Sequence, residues 1–157
     1  MANENEARAA REVYDTLCNT LTSMEWNFDR DDEKLRVTFG VQGDDIPMHF
    51  VIAIDEDRQL VRLISFLPFE FGEDKRVEGS VATNQINYSL AEGCFDFGLN
   101  DGRPIFRVTT SFRESLVGDE MFRYMIHVAC YTVDRYNDQL EALSNGTLTI
   151  QKFLEDN

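Results

Sequence analysis

Between Leu35 and Leu67 the chain alternates apolar and polar residues in three successive runs, and only short acidic segments separate them. Leu35, Val37, Phe39 and Val41 share one face of the first run, and Met48, Phe50, Ile52 and Ile54 share one face of the second. A period of two is that of a strand, whose successive side chains point to opposite sides. Gly43-Asp44-Asp45 and Asp55-Glu56-Asp57 lie between the runs, and Asp is favoured in turns because its carboxylate bonds its own backbone. Runs joined this closely pair as hairpins in an antiparallel sheet. The third run, Leu60 to Leu67, is apolar on both faces, with Leu60, Ile64 and Phe66 alternating with Val61, Leu63 and Leu67. It is expected in the interior of the sheet, ended by Pro68. Trp26 and Phe28 alternate ahead of a turn at Asp29-Arg30-Asp31-Asp32 and predict one earlier strand. Two more follow later, Phe95 to Leu99 and Phe106 to Phe112, hinged at Asn100-Asp101-Gly102.

Three helices frame these strands. Ala10, Val13, Leu17, Leu21 and Met24 recur at helical spacing from Glu6 onward, and Phe122, Met125, Ile126, Ala129, Val133, Tyr136, Leu140 and Leu143 do so between Asp119 and Asn145-Gly146. The middle helix is expected from Asp74 to Glu92, and it carries two apolar stripes. Val77, Val81 and Tyr88 form one; Ala82, Ile86 and Leu90 form the other. A surface helix buries a single band, so the second stripe must meet more of the same domain or another molecule. The reading is an α+β fold in the order α-β-β-β-β-α-β-β-α. It is taken as one domain over residues 1–157, with its core in 6–146 and an extension over 147–157 whose last helical turn, around Ile150, Phe153 and Leu154, is weakly capped.

Composition narrows the function. With 29 acidic against 15 basic residues, the formal net charge is −14, which repels polyanions, and no basic patch overrides it. Nucleic acid and membrane surfaces are therefore not expected as partners. The three cysteines, Cys18, Cys94 and Cys130, are scattered without a C-x-x-C pair, so neither a disulfide framework nor a zinc site is expected. The acidic start, without the apolar run of a signal peptide, predicts a cytoplasmic location.

His127, Cys130 and Asp134 are spaced to meet on one side of the last helix, as a base, nucleophile and orienting acid would. They lie off its core stripe beside Glu120, Arg123 and Asp138, which reads as a solvated face. The acidic turns lack calcium-loop spacing, His49 stands alone on its strand, and Asp96-Phe97-Gly98 lacks the other kinase segments. No catalytic residue, cofactor or metal is expected. The run Phe66-Leu67-Pro68-Phe69-Glu70-Phe71 concentrates aromatic rings where the chain leaves the sheet, either closing the core or offering a binding patch.

The second half also resembles a known family. Leu90-Ala91-Glu92-Gly93 before the Phe95 strand, Asn100-Asp101-Gly102-Arg103 leading into Phe106-Arg107-Val108, and Val133-Asp134-Arg135-Tyr136 in the long helix resemble the YbjN family, and Trp26, Leu35 to Phe39 and Pro68 extend the likeness over roughly Glu6 to Gly146. The resemblance implies a fold similar to the type III secretion chaperones, which bind client polypeptides and pair through the second helix and nearby strands. The resulting expectation is a non-enzymatic, chaperone-like regulator that binds a protein partner or a second copy of itself, through Ala82, Ile86 and Leu90 or through Phe66, Phe69 and Phe71. The rival expectation is a small-ligand sensor or enzyme with a pocket between the sheet and Phe66 to Phe71, using His49 or the His127 column.

Overall fold

The computed structural model describes residues Met1–Asn157. Helix α1 (Glu4–Ser23) begins at a capping box, in which the Asn3 side chain accepts from the Glu6 backbone N–H and the Glu6 carboxylate accepts from Asn3 N–H. Strands β1 (Asp29–Asp31), β2 (Arg36–Val41), β3 (Met48–Asp55) and β4 (Leu60–Phe66) follow. A 3-10 turn (Glu73–Lys75) leads into α2 (Arg76–Ser89). Strands β5 (Cys94–Phe97) and β6 (Pro104–Ser111), then α3 (Asp119–Asn145) and α4 (Ile150–Asp156), complete the order. All strand pairs are antiparallel, in the spatial order β1-β2-β3-β4-β6-β5.

The helices pack on one face of this sheet. Val37, Phe39, Phe50, Ile52, Val61, Leu63, Phe106 and Val108 point toward them and are buried. The alternate residues, such as Val51, Arg62, Ile64 and Arg107, face outward, and none of them is fully buried. Strand β4 is interior as expected, between β3 and β6. Its outer face is nevertheless uncovered, because no second layer of helices lies there.

Several boundaries differ from the sequence reading. The residues read as a first turn, Asp29 to Asp31, pair with Arg36 to Thr38, and the reversal comes after them with Leu35 at φ 47°. Trp26 and Phe28 pack against the core without being paired, the Trp26 ring lying 5.5 Å from Phe39. Helix α2 ends at Ser89, not at Glu92, since Leu90 is already extended and Gly93 turns the chain at φ 72°. The C-terminal segment belongs to the core. Thr149 caps α4 through the Lys152 N–H, and Phe153 is fully buried.

Two glycines set how closely layers approach. A Cβ at Gly79 would lie 2.5 Å from the Phe97 ring and 3.0 Å from Phe71, so α2 can rest on those rings only without a side chain there. A Cβ at Gly102, at φ 72°, would collide with the backbone of Phe71, whose N–H donates to Gly102 C=O at 2.8 Å. Replacing Gly79 with Ala should cost about 1–3 kcal/mol through overpacking, read as a lower denaturant midpoint with an unchanged slope. Phe153→Ala should cost about 3–5 kcal/mol in the same measurement, whereas a tail outside the core would give almost no change.

Candidate functional site

The two stripes of α2 face opposite ways. Ala82 and Ile86 are buried in the chain's own core, with Ile86 only 1% exposed, and Thr83 beside them satisfies its hydroxyl on Gly79 C=O at 3.0 Å. This corrects the expectation that Ala82, Ile86 and Leu90 form the free surface. Leu90 has left the helix and packs half-buried against the core. The close approach at Gly79 admits the small Ala82 but has no room for Val77, Val81 or Tyr88, which point to solvent, Val77 72% and Tyr88 90% exposed. An apolar stripe thus remains uncovered, and it is the other one.

Helix α2 is also fixed end-on to the sheet by Asn87. Its side-chain amide donates to Phe95 C=O at 2.8 Å, and its Oδ1 accepts Phe95 N–H at 2.7 Å. One side chain thus occupies both outward backbone groups of Phe95 and blocks that position of the β5 edge. Nothing in the sequence signalled this, because an Asn within a helix carries no mark of what its amide meets.

The Phe66 to Phe71 segment divides. Phe71 is buried, edge-on to Phe97 at 5.2 Å; Phe69 is half-buried; Phe66 is 52% exposed on the outer face of β4. A depression of about 340 Å³ does lie between this segment and the sheet. Its charged residues are Glu70 and Arg103, which pair with each other at 3.5 Å. His49 and His127 do not line it; both are exposed, His49 on the outer sheet face and His127 on α3, where its ring stacks on Tyr131.

The remaining polar candidates serve local structure. Asp134 accepts the Asp44 N–H at 2.9 Å and so holds the β2–β3 turn. Burial, and then the charge of Asp134, push the Cys130 thiol up to about 11, which leaves it protonated rather than nucleophilic at neutral pH. Carboxylates at the β1–β2 and β3–β4 turns are engaged in a similar way. Asp31 accepts Lys34 N–H, Asp55 accepts Arg58 N–H, and Asp32 accepts the Tyr14 hydroxyl and Arg30. No group of three or more His, Cys, Asp or Glu is placed to hold a metal ion, and no helix is long and apolar enough to cross a membrane.

Arginines on the outer sheet face are likewise engaged. Arg36 meets Asp31 at 3.4 Å, Arg62 meets Asp55 at 3.3 Å, and Arg107 meets Asp96 at 2.7 Å. The outer sheet face thus carries paired charges, while the Val77, Val81 and Tyr88 face of α2 stays apolar and exposed. Comparison with known proteins agrees in fold. The model of YbjN, described as a putative bacterial sensory transduction regulator, matches residues 14–142, and the chain belongs to that family.

Solved structures of the same fold include YbjN from E. coli, described as a putative transcription regulator. It is 13% identical, with a TM-score of 0.60 over 85% of this chain and 92% of that one. The HopA1–SchA chaperone–effector complex provides another, at 16% identity and TM-score 0.54, covering 80% of this chain and 92% of that one. The ExsC–ExsE complex provides a third, at 11% identity and TM-score 0.54, covering 82% and 93%. The fold is thus α+β, of the type III secretion chaperone kind. No curated protein matches in sequence.

The Arg107 guanidinium, bonded to the Asp96 carboxylate, holds that group below the usual carboxylate range even though burial opposes it. A depressed carboxylate contributes stability that is present above the unfolded value of about 3.9 and is lost as pH falls through the folded value. Urea denaturation across a pH series should therefore show wild type more stable than Asp96→Asn at neutral pH, with the gap closing below about pH 4.

Proposed function

We propose that this chain is a non-enzymatic, chaperone-like regulatory module of the cytoplasm that holds a protein partner, and that two copies pair through the outer face of α2. The observation that carries this reading is the exposed stripe of Val77, Val81 and Tyr88. Large apolar residues at helical spacing, left uncovered by their own fold, gain free energy when another surface covers them.

Electrostatics favours the same place. Two copies each carrying −14 repel one another over most of their surfaces. From Gly79 to Ala91, however, the chain has no charged residue, so two helices can meet there without opposing like charges. Laid antiparallel about their midpoints, they bring Val77 of one copy toward Tyr88 of the other, the self-complementary arrangement of a two-fold dimer. The chaperone–effector and ExsC–ExsE structures are complexes with a second protein, which supports partner binding on this fold.

Sedimentation equilibrium tests the pairing. Wild type should run at twice its chain mass, and Val81→Asp should return it to a monomer, because an unpaired charge buried in an interface costs several kcal/mol. A monomeric wild type throughout the concentration series, or an unaltered dimer in the variant, would overturn the self-pairing. Since Val81 lies on the surface, circular dichroism of the variant should match that of wild type, whereas Ile86→Asp should unfold the chain.

A further inference from the structure

The strand β5 is shorter than its neighbour. It pairs only with Pro104 to Arg107 of β6, while β4 pairs with β6 as far as Ser111. The second half of β6 therefore has a strand on one side and none on the other. Gly93 causes this, because its left-handed turn takes the chain away from β6 just before β5 begins.

The direction of the free backbone groups follows from Asn87. Both polar groups of Phe95 bond that amide, so they point away from β6, and Phe95 opposite Phe106 is a non-hydrogen-bonded pair. In an antiparallel ladder such pairs alternate with bonded ones. On the β5 side the bonding positions of β6 are then Ile105, Arg107, Thr109 and Ser111. The first two face β5; Thr109 N–H and C=O face the gap and have no partner in the chain. The bounding segment Ala91 to Gly93 likewise makes no backbone hydrogen bond.

A cavity of about 250 Å³ opens beside this gap, between β6 and α3. Val108 and Thr110 form its floor, and Met121, Tyr124, Met125 and Val128 form its wall. It continues along α3 past Glu92 to Tyr131. We propose that this notch is a strand-addition site for an extended segment of the protein partner, one that alternates apolar and basic residues. The inference rests on the partner-binding reading above and names the kind of segment bound.

Each part of the segment has a matching feature. A residue opposite Thr109 exchanges both backbone hydrogen bonds with it, and its neighbour opposite Thr110 turns inward and places an apolar side chain in the cavity. The outward surroundings leave no free cation to oppose a basic residue: Arg62, opposite Thr109 on β4, is held by Asp55, Arg107 next along β6 is held by Asp96, Glu92 lines the cavity, and the chain as a whole carries −14. Lysine or arginine at the alternate positions complements that field, whereas a second acidic copy of this chain is repelled by it.

The probe is a fluorescent synthetic peptide of alternating valine and lysine, read by anisotropy with the full-length protein. Binding should weaken about tenfold when the peptide backbone is N-methylated at alternate residues, and by a similar factor in Thr109→Pro, each removing a strand hydrogen bond. Because Thr109 N–H faces the gap, proline there leaves the β4 ladder intact. Val128→Lys, which fills the cavity with a cation, should abolish binding by an independent route. Hydrogen exchange should slow at Thr109 when peptide is added.

Equal binding of the methylated peptide and by Thr109→Pro, an unaffected Val128→Lys, or no binding of the valine–lysine peptide would overturn the inference. So would equal binding of a valine–glutamate peptide. Protection at Thr109 that grows with protein concentration alone would show a second copy in the notch, and would overturn it too. None of these results bears on the α2 pairing, which is read from the mass of the free protein.

Discussion

The placement of α2 depends on two contacts that ordinary side chains could not make. Gly79 lets the helix rest directly on the rings of Phe97 and Phe71, and Asn87 grips the backbone of Phe95 from the helix's other end. With both ends held, the rotation of the helix is settled. Ala82 and Ile86 turn inward, Val77, Val81 and Tyr88 turn outward, and the edge of β5 is closed at Phe95. The departure of the chain at Leu90 and Gly93 follows, and with it the gap alongside β6.

Charge divides the surface in a complementary way. Several carboxylates at the turns bond their own backbone or a neighbouring arginine, as Asp55 does with Arg58 and Arg62. The cations on the outer sheet face are spent on these pairs. Exposed ion pairs of this kind contribute little stability, about 0–1 kcal/mol each. Their effect is to leave a strongly acidic exterior interrupted along α2, where the chain has no charged residue from Gly79 to Ala91. The proposed pairing uses that interruption, and the chain is a member of the YbjN family with a chaperone-like fold.

The candidate site was legible only in part. Periodicity exposed both stripes of α2, because each repeats at three and four residues. It could not rank them, since the faces of an isolated helix are equivalent until something packs against one. The aromatic run failed for a related reason: Phe66 and Phe71 look alike in sequence, yet one ends a strand on the open face and the other lies beneath α2. His127, Cys130 and Asp134 share a helix side as their spacing implies, but Asp134 is engaged with the β2–β3 turn and the half-buried Cys130 thiol is protonated.

By itself the sequence determined the α+β class, the order of its elements, the antiparallel hairpins and the acidic charge. These rest on local causes: alternation makes strands, helical spacing makes helices, and Asp- and Gly-rich segments are too short for anything but tight turns. Tertiary structure alone decided that the sheet is covered on one face only, that Phe153 brings the C-terminus into the core, that β5 lies outside β6, and which stripe of α2 is exposed. Each depends on residues distant in the chain meeting in space, as Gly79 meets Phe97 and Asn87 meets Phe95. No local pattern encodes which partner such a residue will find.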